Sequence, residues 1–138
     1  MRTRDIYITE YDLDRLRKLV DAMESRDRKS RPYLEKLEEE LDRAHVVEPS
    51  SISTDVITMN STVRLQDLDS NEELTYKLVF PGTANAGLNA ISVLAPIGTA
   101  LLGYREGDVI EWEVPAGIRR LEVLEVTYQP ERAGDFQS

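Results

Sequence analysis

The chain has 138 residues, enough for one ordinary domain or for a compact domain with a short appendage. Its formal net charge of −9, from 26 acidic and 17 basic side chains, argues against a protein that binds nucleic acid mainly by neutralising phosphates. The sequence contains no cysteine and one histidine, His45. Disulfide scaffolds, thiolate zinc sites and nucleophilic catalysis by cysteine or by a Ser-His-Asp triad are therefore disfavoured.

The acidity is concentrated in the second part of the chain. Residues 1–45 hold 12 acidic and 11 basic side chains, whereas residues 46–138 hold 14 acidic and 6 basic ones. No apolar run approaches the roughly 20 residues that a membrane-spanning helix needs, and the opening MRTRDIYITE lacks the apolar core of a signal peptide. We therefore expect a cytoplasmic protein that has no membrane partner.

Residues 1–45 carry the pattern of two amphipathic helices. Thr9 is the predicted N-cap of the first helix, with Asp12 in its first turn. Ser30 and Pro32 mark the start of the second helix after a polar turn. Apolar residues recur every three or four positions, at Leu13, Leu16, Leu19, Val20 and Met23 and then at Leu34, Leu37, Leu41 and Ala44. The pattern predicts an antiparallel helical hairpin, a short coiled coil.

Residues 46–54 form the predicted linker, because Pro49 and a serine cluster break the helical pattern and the period then changes to two. The turn signals DSN, PGTANAG, GD and PAG separate five strand candidates, which are 62–68, 73–80, 90–94, 108–114 and 119–128. A change of phase within the last candidate predicts a bulge or strong bend near Val123.

The stretch PIGTALLG, residues 96–103, predicts one short helix because it starts with proline and closes with glycine. A mostly antiparallel sheet carrying this helix would occupy residues 55–138. The expected fold class is therefore α+β, with the helical hairpin preceding the sheet.

Few residues offer catalytic chemistry. His45 is predicted at the end of the second helix, where it suits the helix dipole better than catalysis, since no orienting acid or nucleophile is nearby in sequence. Gly98, Gly103 and Gly107 match neither the P-loop nor the dinucleotide fingerprint, and are interpreted as turn and cap glycines. The run of glutamates at 38–40 is interpreted as a solvated helix face rather than an acidic patch for a basic partner.

The hairpin tip allows two interpretations. Asp21, Glu24 and Asp27 are spaced by three, so on a continuous helix two of them could hold a divalent cation. However, residues 24–31 carry four basic side chains and a local net charge of +2, which opposes cation binding. We favour surface ion pairs and expect neither a metal nor a cofactor.

The sheet region resembles the carboxy-terminal domain of the bacterial Gre transcript-cleavage factors. The resemblance lies in residues 59–81, 91–126 and 128–136, and its most specific part is S-x-x-x-P-I-G-x-A-L-L-G-x-x-x-G-D at 92–108. The ending YQPERAGDF points to a short relative within that superfamily. The resemblance implies an FKBP-like twisted antiparallel sheet with one helix, preceded by a helical hairpin.

The resemblance also implies a partner, RNA polymerase, bound at the rim of its secondary channel with the hairpin pointing inward. Gre positions implicated in polymerase contact match Ser92 and Pro96, while Leu94 replaces a family aspartate and Ile97 lies beside them. Gre factors have a longer hairpin whose tip carries an Asp-x-x-Glu pair that supplies magnesium for transcript cleavage. Here the glutamate position is Ser30, and the tip is formed by Arg26, Asp27, Arg28 and Lys29.

We therefore expect a monomeric, non-catalytic transcription regulator that competes with Gre-type factors and makes no direct sequence-specific contact with nucleic acid. Helices of about 15 residues span only about 23 Å, which is short for carrying metal ligands to a distant reaction centre. Two alternatives are residual magnesium-dependent transcript cleavage through Glu24 and Asp27, and a prolyl isomerase activity that rests on fold analogy alone.

Overall fold

The computed structural model describes residues 5–24, 31–83, 89–114 and 117–134. Its first half contains two helices and two short strands, which are β1 (Tyr7–Thr9), α1 (Glu10–Glu24), α2 (Arg31–Arg43) and β2 (His45–Val47). The two strands pair in parallel at the open end of the helical hairpin. The predicted tip residues and the predicted cap Ser30 lie outside the described residues.

The predicted helices are confirmed, and so is the first N-cap. The Thr9 hydroxyl oxygen accepts a hydrogen bond from the backbone N–H of Asp12 at 3.0 Å. The apolar stripes face inward, since the described residues of both helices bury leucine or valine at three-to-four-residue spacing. These buried residues are Leu16 and Val20 in α1 and Leu34, Leu37 and Leu41 in α2.

The prediction for His45 is corrected. Helix α2 ends at Arg43, and His45 begins β2, where its backbone N–H donates to the carbonyl of Ile6 at 2.9 Å. Its ring stacks on the Tyr7 ring with 5.0 Å between centroids. Pairing with β1 therefore takes His45 out of the helix. Within the expected linker, Val47 ends β2 and a 3-10 helix follows at Pro49–Ser51.

The second half contains a five-stranded sheet and one helix. In chain order these are β3 (Thr62–Asp67), β4 (Glu73–Val79), a 3-10 helix (Pro81–Thr83), β5 (Ala90–Ser92), α3 (Pro96–Leu101), β6 (Val109–Val114) and β7 (Gly117–Tyr128). The strand order is β5-β4-β3-β7-β6, and every neighbouring pair is antiparallel except β4 with β5. All five strand predictions and the short-helix prediction are confirmed, with β5 and α3 each ending two residues early and β7 beginning two residues early.

The change of phase in β7 is produced by bulges. The β3–β7 register skips Leu124, next to Val123 as predicted, and skips Thr127 as well, which the sequence did not indicate. The two extra residues allow Leu121, Val123 and Val126 all to be buried. The bulges therefore keep a twelve-residue strand facing the core despite its irregular pattern.

The β3–β4 turn, predicted from DSN, is organised by Asp67. One Asp67 oxygen accepts the backbone N–H groups of Asp69 and Ser70, and the other pairs with Arg119 on β7. The Arg119 hydrogen bond, with the two backbone donors, lowers the pKa of the Asp67 carboxyl. The carboxylate thus ties the turn to the neighbouring strand.

One apolar core joins the hairpin to the sheet. It runs without a break from Ile6 and Leu16 at the hairpin, through Leu101 of α3, to Leu65 and Leu121 of the sheet. The hairpin is therefore packed against the sheet rather than tethered to it. Among the helices in the described ranges, none is long and apolar enough to cross a membrane.

Candidate protein-docking site

The residues predicted to contact a protein partner lie together in one turn, residues 92–97, which we call the docking turn. It begins where β5 ends. The Ser92 hydroxyl oxygen accepts the N–H of Leu94 at 3.0 Å, and the Ser92 carbonyl accepts the N–H of Ala95, also at 3.0 Å. Ser92 therefore ends the strand and folds the chain into α3.

Two residues of α3, Gly98 and Thr99, contact the backbone of the docking turn and fix its position. A Cβ atom added to Gly98 would lie 2.0 Å from the carbonyl oxygen of Ser92, so only glycine permits this approach. The buried Thr99 hydroxyl donates to the carbonyl of Val93. The interpretation of Gly98 as a turn or cap glycine is thus wrong, because its role is close packing inside the helix. Gly103 and Gly107 do have the positive φ angles expected of turn and cap positions.

The docking turn presents a small apolar surface. Pro96 is exposed at the start of α3, while Leu94 and Ile97 are partly exposed and pack against the core with the rest of their side chains. Ser92 is also partly exposed, but its hydroxyl is used within the turn. A partner would therefore meet an apolar ridge with a fixed backbone.

The docking turn is linked to the hairpin through the residues that follow α3. The Tyr104 hydroxyl accepts a hydrogen bond from Arg43 of α2 at 3.0 Å, and Arg43 also pairs with Glu40 at 3.0 Å. The side chain of Glu40 is only 12% exposed, so the glutamate run is not uniformly solvated. The prediction of a solvated face is corrected at this position because Glu40 is buried beside the Arg43 guanidinium that reaches Tyr104.

A second polar cluster lies where α1 meets the sheet. Asp12 is 1% exposed, and its Oδ2 accepts the backbone N–H of Met59 at 3.0 Å while its Oδ1 pairs with Arg15. The Arg15 guanidinium also lies over the rings of Tyr11 and Phe80, at 4.0 and 4.8 Å from their centroids. Desolvation outweighs these favourable contacts and raises the pKa of the Asp12 carboxyl.

The sequence pattern identified Asp12 only as a first-turn acid and placed Arg15 on a polar face. Their partners are far away in sequence: Met59 is 47 positions from Asp12. No periodicity within α1 could have revealed that contact. The only local signal was an acid and a base three residues apart, which is common on solvent-exposed helices.

Two of the three acids considered as a cation site at the hairpin tip lie within the described residues. Asp21 and Glu24 are exposed near the end of α1, and Asp27 falls outside the described residues. Across the described ranges, no three side chains of His, Cys, Asp or Glu are grouped so as to hold a metal ion. The pKa of the nearby Glu38 carboxyl is raised, mainly by partial desolvation and secondly by repulsion from Glu24 and Asp42.

Glu131, near the carboxy terminus, completes the cluster around Asp12. The Thr58 hydroxyl donates to Glu131 Oε1 at 2.7 Å. Burial, with the nearby negative charge of Asp12, raises the pKa of Glu131 above its usual 4.5, although Thr58 and Arg15 oppose the rise. The carboxyl thus holds its proton more tightly in the folded chain than in the unfolded one. Its contribution to stability is full below its unfolded pKa and is lost as the pH rises through its folded pKa.

The variant Glu131→Gln should therefore gain stability relative to the wild type as the pH rises from about 4 to about 8. Glutamine keeps an oxygen that can accept the Thr58 hydrogen bond but never ionises. Urea unfolding at each pH measures the difference in unfolding free energy. The exposed substitution Glu72→Gln controls for the loss of one negative charge. A difference that stays level or shrinks with rising pH would contradict the expectation.

Two family models match this chain. The family model for the Rnk N-terminus matches residues 4–47, and the model for the transcription elongation factor GreA/GreB C-terminal region matches residues 52–128, including the docking turn. A protein named regulator of nucleoside diphosphate kinase, from Escherichia coli (strain K12), is 46% identical over 106 residues, which cover 76% of this chain and 78% of that protein.

Two further proteins extend the similarity. Transcription elongation factor GreA of Trichlorobacter lovleyi is 36% identical over 109 residues, covering 79% of this chain and 69% of its own length. A solved structure of a prokaryotic transcription elongation factor GreA/GreB from Nitrosomonas europaea is 42% identical and superposes with a TM-score of 0.75, over 90% of this chain and 100% of that one. The likeness thus spans both the hairpin and the sheet.

Proposed function

Because this chain belongs to the GreA/GreB transcription-factor family and carries an Rnk-type amino terminus, we propose that it is a non-catalytic regulator that binds RNA polymerase. In this proposal it docks at the rim of the secondary channel and competes there with Gre-type factors. The observation that carries the proposal is the docking turn, whose exposed Pro96 and partly exposed Leu94 and Ile97 stand on a backbone fixed by Ser92 and Gly98.

The proposal assigns separate tasks to the parts of the chain. Residues 1–45 are the arm that enters the channel, residues 46–54 the linker, and residues 55–138 an FKBP-like body that docks outside as a monomer. The proposed polymerase contacts are Ser92, Leu94, Pro96 and Ile97. With 15 residues in α1 and 13 in α2, the arm measures about 20 Å along its axis. A short arm supports occupancy of the channel entrance without catalysis.

The acidic body fits a protein partner better than free nucleic acid. Most of the excess negative charge lies beyond residue 45, on the part proposed to dock outside the polymerase. Such a surface repels phosphates, so we propose no direct sequence-specific contact with DNA or RNA. Its complement would be a basic or neutral protein surface with an apolar centre that receives Pro96.

Binding to purified core RNA polymerase tests the proposal, with displacement of a labelled Gre factor as the second readout. Pro96→Glu should weaken binding about tenfold, or about 1.4 kcal/mol, because it places a charge on the apolar ridge while an acid remains acceptable in the first turn of α3. Pro49→Glu is the matched control, since Pro49 also begins a short helix but lies outside the docking turn. Its affinity should equal that of the wild type.

Three results would contradict parts of the proposal. Absence of binding, together with no displacement of a Gre factor at excess protein, would overturn the proposed partner. Equal loss of affinity in both proline variants would overturn the docking turn as the contact. Magnesium-dependent shortening of backtracked transcripts on addition of the protein would overturn its non-catalytic role.

A further inference from the structure

The carboxy-terminal segment of the described chain, residues 129–134, folds back onto residues 53–61. We call these segments the tail and the joint loop. Gln129 is fully buried, and its side-chain amide donates to the carbonyls of Ser53 and Val56, both at 2.8 Å. A buried amide with both donors used in this way fixes the backbone that it contacts.

Two more tail side chains contact the joint loop. Arg132 donates to the carbonyl of Thr54 at 3.3 Å and, from its other terminal nitrogen, to the carbonyl of Val126 at 3.0 Å. Glu131 accepts the Thr58 hydroxyl at 2.7 Å. The tail itself is a compact turn, in which the N–H of Ala133 donates to the carbonyl of Gln129 at 3.0 Å. The tail therefore holds the joint loop at several points along its length.

The joint loop in turn contacts the hairpin. It belongs to no helix or strand, but the Asn60 N–H donates to the carbonyl of Leu78 of β4 at 2.6 Å and the Ser61 carbonyl accepts the Leu78 N–H at 3.0 Å. It nevertheless presents the Met59 N–H that Asp12 of α1 accepts at 3.0 Å. The backbone of β4 therefore holds the carboxy-terminal end of the joint loop, and the tail adds four side-chain hydrogen bonds, to Ser53, Thr54, Val56 and Thr58.

Charge links the same three segments. Arg15 of α1 pairs directly with Asp12 and also acts electrostatically on Glu131 of the tail, while the two carboxyls repel one another. The Arg15 guanidinium thus acts to lower the pKa of both carboxyls, strongly through its direct pair with Asp12 and weakly at Glu131. Removal of the Glu131 carboxyl would therefore change the electrostatic interactions of Asp12 and Arg15 in the first turns of α1.

We propose that the tail is a strap that sets the angle between the hairpin and the sheet, acting through the joint loop on Asp12. Without the strap, the apolar core and the backbone bonds to β4 still hold the two parts together, but the amino-terminal half of the joint loop is less constrained and the hairpin gains freedom to pivot. Small changes at such a joint are amplified at the far end of a rigid arm. The strap acts within the fold and does not depend on polymerase binding.

The absence of cysteine permits a direct distance measurement. Asp21→Cys on α1 and Lys77→Cys on β4 place spin labels at two exposed positions, one on the hairpin and one on the sheet. In the full chain we expect one narrow distance distribution. Adding Gln129→Ala and Arg132→Ala, which removes the side-chain bonds to Ser53, Val56 and Thr54, should broaden the distribution about twofold, as expected for a freed hinge, while far-UV circular dichroism stays unchanged.

The control is Arg120→Ala, which removes an exposed arginine paired with Asp69 at the β3–β4 turn, away from the joint loop. Its distribution should match that of the labelled parent. An unchanged distribution in the folded double variant would overturn the strap, and so would equal broadening in the control. Should the double variant unfold, Thr58→Val is judged by the same criteria, since it removes only the hydroxyl that donates to Glu131.

Discussion

Asp12→Ala should lower the free energy of unfolding by about 3 kcal/mol, because it leaves a partly buried guanidinium and a buried backbone N–H without their acceptor. Asp12 is 1% exposed, so water cannot replace it at no cost. Arg15 would lose its ion pair, and Met59 would lose the carboxylate oxygen 3.0 Å from its N–H. Urea unfolding at pH 7 gives the value.

Two companion variants separate the causes. Asp12→Asn keeps an oxygen for the Met59 N–H but loses the ion pair, so its cost should be smaller than that of alanine. Asp14→Ala is the matched control two positions away on the exposed side of α1, where the pair with Lys18 is solvated and should contribute no more than about 0.5 kcal/mol. Equal stability of the Asp12→Ala and Asp14→Ala variants would contradict a structural role for the buried carboxylate.

A double-mutant cycle checks whether Asp12 and Arg15 act as a unit. Arg15→Met alone leaves a buried carboxylate without its counter-ion, so it should also destabilise the protein. If the pair is coupled, the double variant Asp12→Ala with Arg15→Met should lose clearly less than the two single losses together. Strict additivity would show that each side chain acts through other neighbours.

Gly98→Ala should also destabilise the protein, by about 2 to 3 kcal/mol. Helix propensity alone would favour alanine here by about 1 kcal/mol. Against this, the new Cβ would lie 2.0 Å from the carbonyl oxygen of Ser92 and 3.1 Å from the Cα of Val93, which are backbone atoms that move only if β5 moves. The steric term therefore decides the sign.

Thermal and urea unfolding measure the stability of the Gly98→Ala variant, with Gly82→Ala as the matched control. A Cβ added at Gly82 meets no atom within 4 Å, so that substitution should change stability by less than about 0.5 kcal/mol. The Gly98 variant should in addition bind polymerase more weakly, because the docking turn rests on this contact. A Gly98→Ala protein as stable as the wild type, or more stable, would show that α3 can shift at no cost.

Local patterns in the sequence were sufficient for the elements that depend on them. Period, capping and turn signals predicted both hairpin helices, the Thr9 cap, the five sheet strands and the bulge beside Val123, because each depends on neighbours a few positions away. The segment that became the docking turn stood out for its resemblance to a family. The internal geometry of this segment could not be predicted from the sequence, because the close contact of Gly98 with Ser92 depends on how α3 packs on β5.

Contacts between distant parts of the chain were beyond the reach of pattern alone. The β1–β2 pair joins three-residue strands 38 positions apart, too short for a visible alternation. Asp12 and Arg15 looked like an ordinary exposed pair because burial comes from the joint loop and from Phe80. The second bulge, at Thr127, could not be predicted because only one residue of the strand follows it, and one residue is too few to show a change of phase.

The parallel pairing of β1 with β2 has one more consequence. Tyr7 lies beside His45 and Thr9 beside Val47, so the chain leaves and re-enters the body through two adjacent, fixed positions. Helices inserted between them can grow by equal numbers of whole turns, about seven residues for two turns each, without moving either position. The length of the hairpin and the way it is anchored to the sheet domain can thus vary independently. A longer or shorter hairpin can be accommodated on an unchanged sheet domain.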